Sequence, residues 1–364
     1  MKNTFGQSVS VTLFGESHGA EIGAVLDGLA AGIPVDEAFI RHQLSLRRPA
    51  RDGLSTPRVE ADEFRIVSGV FEGKTTGTPL CILIPNGNTK SKDYPRGIAR
   101  PGHADYTAEC KYHGFQDYRG GGHFSGRITA ALVAAGAIAI SALRMNGILI
   151  GTHISELSDV KDRAFQNLEA DLERLNDLTF PVLDDAAAEE MKQRIRDAAS
   201  ECDSVGGVLE TAVTGFPAGV GEPWFDTVES VLAHGLFSIP AVKGVEFGEG
   251  FGFAHLKGSQ ANDPMRMENG KVVTVTNRNG GINGGITNGM PITFRCAVKP
   301  TPSIAKAQDS VDLEKMENVS LSVHGRHDPA VIHRARVVVD SVTALTLCDL
   351  LAQRFGTDFP DITE

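Results

Sequence analysis

The chain has 364 residues, enough for one large domain or two, and its 41% hydrophobic and 22% charged residues are ordinary for a folded globular protein. A net charge of −11 disfavours nucleic acid as a partner, and no uninterrupted apolar run reaches the roughly 18 residues of a membrane span. The five cysteines, Cys81, Cys110, Cys202, Cys296 and Cys348, are odd in number and contain no CxxC pair, which argues against a disulfide framework and a zinc ribbon.

The charge is unevenly spread. Eleven acidic residues between Glu156 and Glu190 face only Lys161, Arg163 and Arg174, whereas ten arginines occur between Arg41 and Arg127. A cationic region inside an acidic chain points to a small anionic ligand, because a polyanion would need an extended basic face. The first residues, MKNTFGQSVSVTLFG, lack an apolar signal core, so a cytoplasmic location is expected.

In chain order, Ser8 to Phe14 alternates like a strand and delivers Gly15-Glu16-Ser17-His18-Gly19. His18, at a strand end between glycines, is either exposed or placed to reach a ligand. Asp36 is expected to cap a helix to about Leu46, followed by Arg47, Arg48, Arg51 and Arg58, more positive charge than a helix C-terminus needs. Phe64 to Phe71 and Leu80 to Ile84 read as strands.

The stretch Arg100 to Ala131 concentrates His103, His113 and His123 with Arg100, Arg119 and Arg127 around Gly120-Gly121-Gly122. Ser125 stands at the N-cap of an apolar helix running from Gly126 to Met145 and stopping at Asn146-Gly147. A glycine-rich turn feeding a helix start suits an anionic group; a tight turn before a buried helix is the alternative.

Gly147 to Ile154 reads as a strand and Asp185 to Cys202 as a solvated outer helix with Met191, Ile195, Ala198 and Cys202 on its apolar side. Val205 to Thr214 alternates, Asp226 is expected to cap a short helix to Gly235, and Val242 to Phe247 reads as a strand. Gly258 to Gly270 is expected to form a mobile lid. The glycine-dense run Gly280 to Gly289 leads into a strand over Pro291 to Val298, and a buried last helix is expected over Ala335 to Arg354. Two strand-and-helix halves of similar kind hint at pseudo-symmetry.

Site-type residues fall in four clusters, Gly15 to Gly19, Arg47 to Arg58, Arg100 to Arg127 and Gly280 to Asp328. If they converge, the chain is one domain with a central site. A metal hydrolase built on His18, His103, His123, His324 and His327 lacks an HExxH pattern, and Arg326 between the last two histidines would repel a cation. A dinucleotide oxidoreductase lacks both GxGxxG after a strand and GxxxxGK[ST]. Acid–base chemistry on a phosphorylated anion uses all four clusters.

Phe14-Gly15-Glu16-Ser17-His18-Gly19, Arg100-Pro101-Gly102-His103-Ala104-Asp105-Tyr106, Asp117-Tyr118-Arg119-Gly120-Gly121-Gly122 and Gly325-Arg326-His327-Asp328-Pro329 together resemble chorismate synthase. Arg47-Arg48-Pro49, Gly69 to Gly73, Gly258-Ser259-Gln260 and Lys299-Pro300-Thr301 follow the same family in order, so the resemblance covers nearly the whole chain.

The resemblance implies conversion of 5-enolpyruvylshikimate 3-phosphate to chorismate by 1,4-anti elimination of phosphate and the C6 pro-R hydrogen, with reduced FMN and no net redox change. NADPH would enter only if the chain reduced its own flavin. It also implies an α+β fold, a single-domain β-α-β sandwich with a helical layer between sheets and not a Rossmann fold, spanning residues 1–364 and assembling as a homotetramer. Neither nucleic acid nor membrane is implied as a partner.

Roles implied by the resemblance follow position. His18 would protonate the departing phosphate, His103 would stand beside the N1/C2 carbonyl region of the flavin, and Asp328 would accept the proton released near flavin N5. Arg47, Arg48, Arg51, Arg100, Arg127 and Arg326 would hold substrate carboxylates and phosphate, for which a guanidinium fork is suited. Ser125, Ala241, Gly284, Lys299, Pro300, Thr301, Pro302, Ser303 and Arg326 would contact the flavin. The chain departs from the family where Arg-Ser-Ser commonly follows the triple glycine: here stand His123, Phe124 and Ser125. A fixed cation is thereby replaced by a titratable imidazole. Pro240 stands in place of the usual Asn, and Gly53 where an arginine is common, with Arg51 a substitute.

Overall fold

The computed structural model describes residues 2–50, 52–56, 60–87, 96–323 and 328–359. Alternating sequence builds two five-stranded antiparallel sheets. The first comprises β1 (Thr4–Phe5), β2 (Ser10–Gly15), β3 (Glu21–Asp27), β4 (Arg65–Ser68) and β5 (Leu80–Pro85), in the order β1-β2-β3-β5-β4. The second comprises β6 (Leu149–Leu157), β7 (Val160–Lys161), β8 (Gly207–Thr214), β9 (Val242–Phe247) and β10 (Ile292–Val298), in the order β9-β10-β8-β6-β7. With every ladder antiparallel, no parallel βαβ crossover of the Rossmann kind is formed within either sheet.

Between them lies a layer of helices, α1 (Glu37–Arg47), α3 (Thr129–Met145), α6 (Val228–Phe237) and α7 (Ile332–Phe355), of which α3 and α7 form the centre. Helix α2 (Asp105–Tyr112) precedes the glycine turn, and α4 (Leu168–Asp177) covers the face of β6 opposite α7, where Gly151 meets Leu172 while Thr152 bonds Asp340, with α5 (Asp185–Ser200) beside β7. The sequence of α3 is apolar on every face because every face is covered: α7 on one side, α1 on another, the first sheet beneath. The 20 residues from Gly126 to Met145 are long and apolar enough to cross a membrane, but 83% of that window is buried inside the fold, the situation of a core helix. Close approach of α3 to α7 depends on Gly136, where a β-carbon would lie 2.2 Å from Ser341 Cβ. One contiguous apolar core runs from Val9 and Ile22 of the first sheet through Ile138 and Leu345 to Phe294 of the second.

The helix starts follow capping chemistry. The Asp36 carboxylate accepts from the backbone of Ala38 and Phe39, and Ser125 Oγ accepts from Arg127 N, opening a short 3-10 turn (Gly126–Ile128) ahead of α3. Asp226 does not cap α6; Thr227 does, its hydroxyl accepting from Ser230 N. The expected strand over Phe64 to Phe71 breaks at Gly69, whose φ of +82° turns the chain. Helix α5 ends at Ser200, leaving Cys202 exposed beyond it at φ +59°. The segment Gly258 to Gly270, read as a lid, holds one short helical turn (Gly258–Ala261) and then a hairpin of Met265–Glu268 with Lys271–Thr274. Helix α7 starts at Ile332, three residues before the expectation, and is buried almost throughout.

Candidate active site

A cleft of about 1050 Å³ opens between the sheet edges and the starts of α3 and α7, large enough for a cofactor together with a small substrate. Residues from all the expected clusters except Gly15 to Gly19 line it, including Arg47, Arg100, His103, His123, Phe124, Ser125 and Arg127. Pro240, Ala241, Lys299, Thr301, Pro302, Ser303 and Asp328 complete that wall. His18 lies directly behind it. Arg48, Gly284 and Pro300 are not among the lining residues. Arg48 donates to the Ala61 carbonyl at 2.6 Å, and Gly284 sits at the tip of a small hairpin of Ile282–Asn283 with Ile286–Thr287. Arg51, His324, Arg326 and His327 lie outside the described residues.

The three glycines carry the two candidate histidines. All three have positive φ, +61°, +89° and +53°. A β-carbon on Gly120 would lie 2.1 Å from His18 Cε1, and one on Gly121 would lie 3.2 Å from His103 Cε1. The backbone therefore runs between the two imidazoles where no side chain would fit. Three bonds tie this turn to the end of β2: Ser17 N donates to Gly122 O at 3.1 Å, Ser17 Oγ to Arg119 O at 3.2 Å, and His123 Nδ1 to Gly15 O at 2.8 Å. Buried His18 Nδ1 lies 3.1 Å from Ser17 Oγ.

On the floor, Arg47 at the end of α1 and Arg127 at the start of α3 converge on buried Asp62. Arg47 Nη2 donates to its Oδ2 at 2.8 Å, and Arg127 Nη1 donates to its Oδ1. Burial alone would raise the Asp62 carboxyl, but the charges and hydrogen bonds of both arginines hold it below its ordinary value. Arg127 also donates to Asn86 Oδ1, while Asn86 Nδ2 donates to the carbonyls of Glu16 and Gly19, each at 2.9 Å. The floor and the His18 loop are thus one network.

Asp328 sits across the cleft, ion-paired to Arg334 on α7 and accepting from Thr56 N at 3.3 Å. Sequence reading missed Arg334, Asp62, Asn86 and Asp105 as partners; their one signal was charged or amide residues beside the motifs, which local pattern does not distinguish from a solvated face. Burial pushes the Arg334 guanidinium down to about 9. Arg47 Nε, Arg334 Nε and Thr301 Oγ1 are buried and have no hydrogen-bond partner among the described residues, so the wall holds spare donors suited to an anionic, hydrogen-bonding ligand. Ala241 at φ +75° accepts from Lys299 N at 2.9 Å, and Lys299 Nζ donates to Gly102 O at 2.6 Å.

Residues 9–352 match the family model described as chorismate synthase. The chain belongs to the chorismate synthase family. A chorismate synthase of Methanosarcina barkeri is 46% identical over 349 residues, 95% of each chain, and one of Chloroflexus aurantiacus is 47% identical over 97% of this chain and 96% of its own. A solved structure titled as the crystal structure of chorismate synthase superposes with a TM-score of 0.75 at 30% identity, covering 96% of this chain and 94% of the other. The sandwich of sheets around a helical layer is therefore the chorismate synthase fold, and the chain is a lyase-class enzyme of that family acting on a small molecule in the shikimate pathway.

Proposed function

We propose that the chain, as one catalytic domain over residues 1–364, converts 5-enolpyruvylshikimate 3-phosphate to chorismate by 1,4-anti elimination. The C–O bond to phosphate and the C6–H bond break, the C6–H electron pair enters the ring diene, and phosphate and a proton leave. The observation that carries this reading is the convergence of His103, Arg47, Arg127 and Asp328 on one cleft with His18 held behind Gly120.

The residues fit a flavin and a phosphorylated dicarboxylate. Arg47 and Arg127 share one carboxylate, which leaves positive charge and the unpartnered Arg47 Nε to bind substrate anions. His18 delivers a proton to the departing phosphate, for which an imidazole near neutral pH is suited. Asp328 is the carboxylate that takes up a proton on the opposite wall. His123, Phe124, Ser125, Pro240, Ala241, Lys299, Thr301, Pro302 and Ser303, which line the cleft, would hold the cofactor, with His103 holding a proton at its edge. Reduced FMN, when bound, supplies an electron-rich ring system that stabilises an electron-deficient substrate carbon. A homotetramer in the cytoplasm, without an intrinsic flavin reductase, completes the proposal.

The test is phosphate release from the substrate under anaerobic conditions with chemically reduced FMN. Release is expected; none from correctly folded protein overturns the reading. Repeating the assay with oxidised FMN and NADPH is expected to give no turnover.

A further inference from the structure

His103 stands between two cavities. It lines the main cleft and also a second cavity of about 260 Å³ that shares Arg100, Ala104 and Phe124 with it. The ring borders open space rather than a closed core, and an imidazole in such a place needs hydrogen bonds to hold its plane and its tautomer. Asp105 supplies one. Its Oδ1 lies 2.7 Å from His103 Nδ1.

The carboxylate is held firmly. Arg100 donates to it three times, from N and Nε to Oδ2 at 2.9 and 2.8 Å and from Nη2 to Oδ1 at 2.8 Å. It is also the first residue of α2, where the positive end of the helix favours a negative charge. Burial would raise Asp105, but the hydrogen bonds from Arg100 and His103, with their charges, hold it far below the usual carboxylate range. An ionised carboxylate can only accept, so Nδ1 must carry a proton and donate it. Arg100 Nη2, 3.1 Å from the same Nδ1, is a donor and by itself would favour an unprotonated Nδ1, but the shorter 2.7 Å contact to the ionised carboxylate decides the tautomer while Asp105 is present.

We infer that Asp105 is a positioning residue that, braced by Arg100, fixes His103 in the Nδ1–H tautomer and leaves Nε2, on the Gly121 side, as the position where the ring gains and loses its proton. The inference rests on the proposed reading of the cleft for its consequence in turnover. It also gives Arg100, which the family resemblance makes a substrate ligand, a second duty within the clamp.

The experiment is nitrogen NMR of the full chain, free of ligands, with histidine labelled at both ring nitrogens and the His103 signals identified by their loss in His103→Gln. The wild type is expected to show a protonated Nδ1 and an unprotonated Nε2 when the ring is neutral. In Asp105→Ala, Nδ1 faces the Arg100 donor alone and the tautomer is expected to reverse; in the isosteric Asp105→Asn, the preference is expected to be lost with the fold intact. Turnover of Asp105→Asn is expected to fall on the order of 10- to 100-fold with KM changed less than about threefold, as for other groups that orient a reactive histidine. An Nε2–H ring in the wild type, or an unchanged tautomer in folded Asp105→Asn, overturns the inference. A wild type with the expected tautomer but no phosphate release would instead count against the proposed reaction.

Discussion

The His18 imidazole fills the space that a β-carbon on Gly120 would occupy: such an atom would lie 2.1 Å from Cε1 and 2.3 Å from Nδ1. Gly120→Ala must therefore move either the histidine or the turn, and it also places a side chain at φ +61°. A loss of about 1–3 kcal/mol in stability is expected from strain of this kind. Turnover should fall further, on the order of 100-fold, because a reacting group displaced by about 1 Å loses that much. Gly258→Ala, with nothing within 4 Å and an ordinary φ, is the control and should be neutral in denaturation and turnover. Equal effects of the two substitutions would refute the steric account.

Removal of Asp62 should be among the costliest single changes in the site. Asp62→Ala leaves the buried Arg47 and Arg127 guanidiniums facing each other without a counter-charge, which should cost about 3–5 kcal/mol in urea unfolding. The same pair sets an acid limit. Asp62 has a folded value below its ordinary 3.8, so its contribution is fully present above that value and is lost as pH falls through the lowered one. The stability gap between wild type and Asp62→Ala should narrow below about pH 4. A gap independent of pH there would show that the carboxylate is not the source.

Two histidines outside the cleft should show opposite pH signatures. His153 is buried between Asp162 at 2.7 Å and Glu210 at 3.0 Å; burial would lower it, but the two carboxylates raise it above 6.5. Its stabilising effect is therefore full below about pH 6.5 and disappears as pH rises through the raised value, so His153→Gln should be most damaging in acid. His333 has neither ring nitrogen paired among the described residues, and burial pushes it down to about 4. Between pH 6.5 and 4 the unfolded chain binds the extra proton and stability falls with pH. His333→Leu should remove that slope and raise stability at pH 5 by about 1–2 kcal/mol. Parallel pH curves for wild type and variant would refute either assignment.

His123 is the test of how this chain departs from its family. Its Nδ1 is committed to the Gly15 carbonyl, and the residue lines the cleft. His123→Arg restores a permanent cation beside the proposed flavin position and is expected to tighten FMN binding severalfold in a fluorescence titration, without needing turnover as the readout. No change in affinity would place residue 123 outside the flavin contacts.

Much of the scaffold was readable because its signals are local. Asp36 and Ser125 are capping residues at the sites the sequence indicated, and alternation over Val205 to Thr214 located β8, which runs from Gly207 to Thr214. Asp226 misled because Thr227, one residue on, has the equivalent capping chemistry. Gly258 to Gly270 read as a turn-rich lid because its glycines and polar residues conceal a hairpin whose pairing is set by the partner strand. The collinear motifs marked His18, His103 and Asp328, but nothing in them indicated that Arg334, just ahead of the expected last helix, would be the partner of Asp328.

By itself the sequence determined most of the element types, the helix caps at Asp36 and Ser125, the family and the residue kinds available for chemistry, since periodicity, caps and ordered motifs act over a few neighbouring residues. Only the tertiary structure decided which charge meets which. Arg47 and Arg127, 15 and 65 residues from Asp62, share its carboxylate, and the Gly120–Gly121 backbone threads between His18 and His103. Ion pairing and close approach depend on the path of the whole chain through a low-dielectric interior, where an unpaired charge is costly and one methyl group too many does not fit.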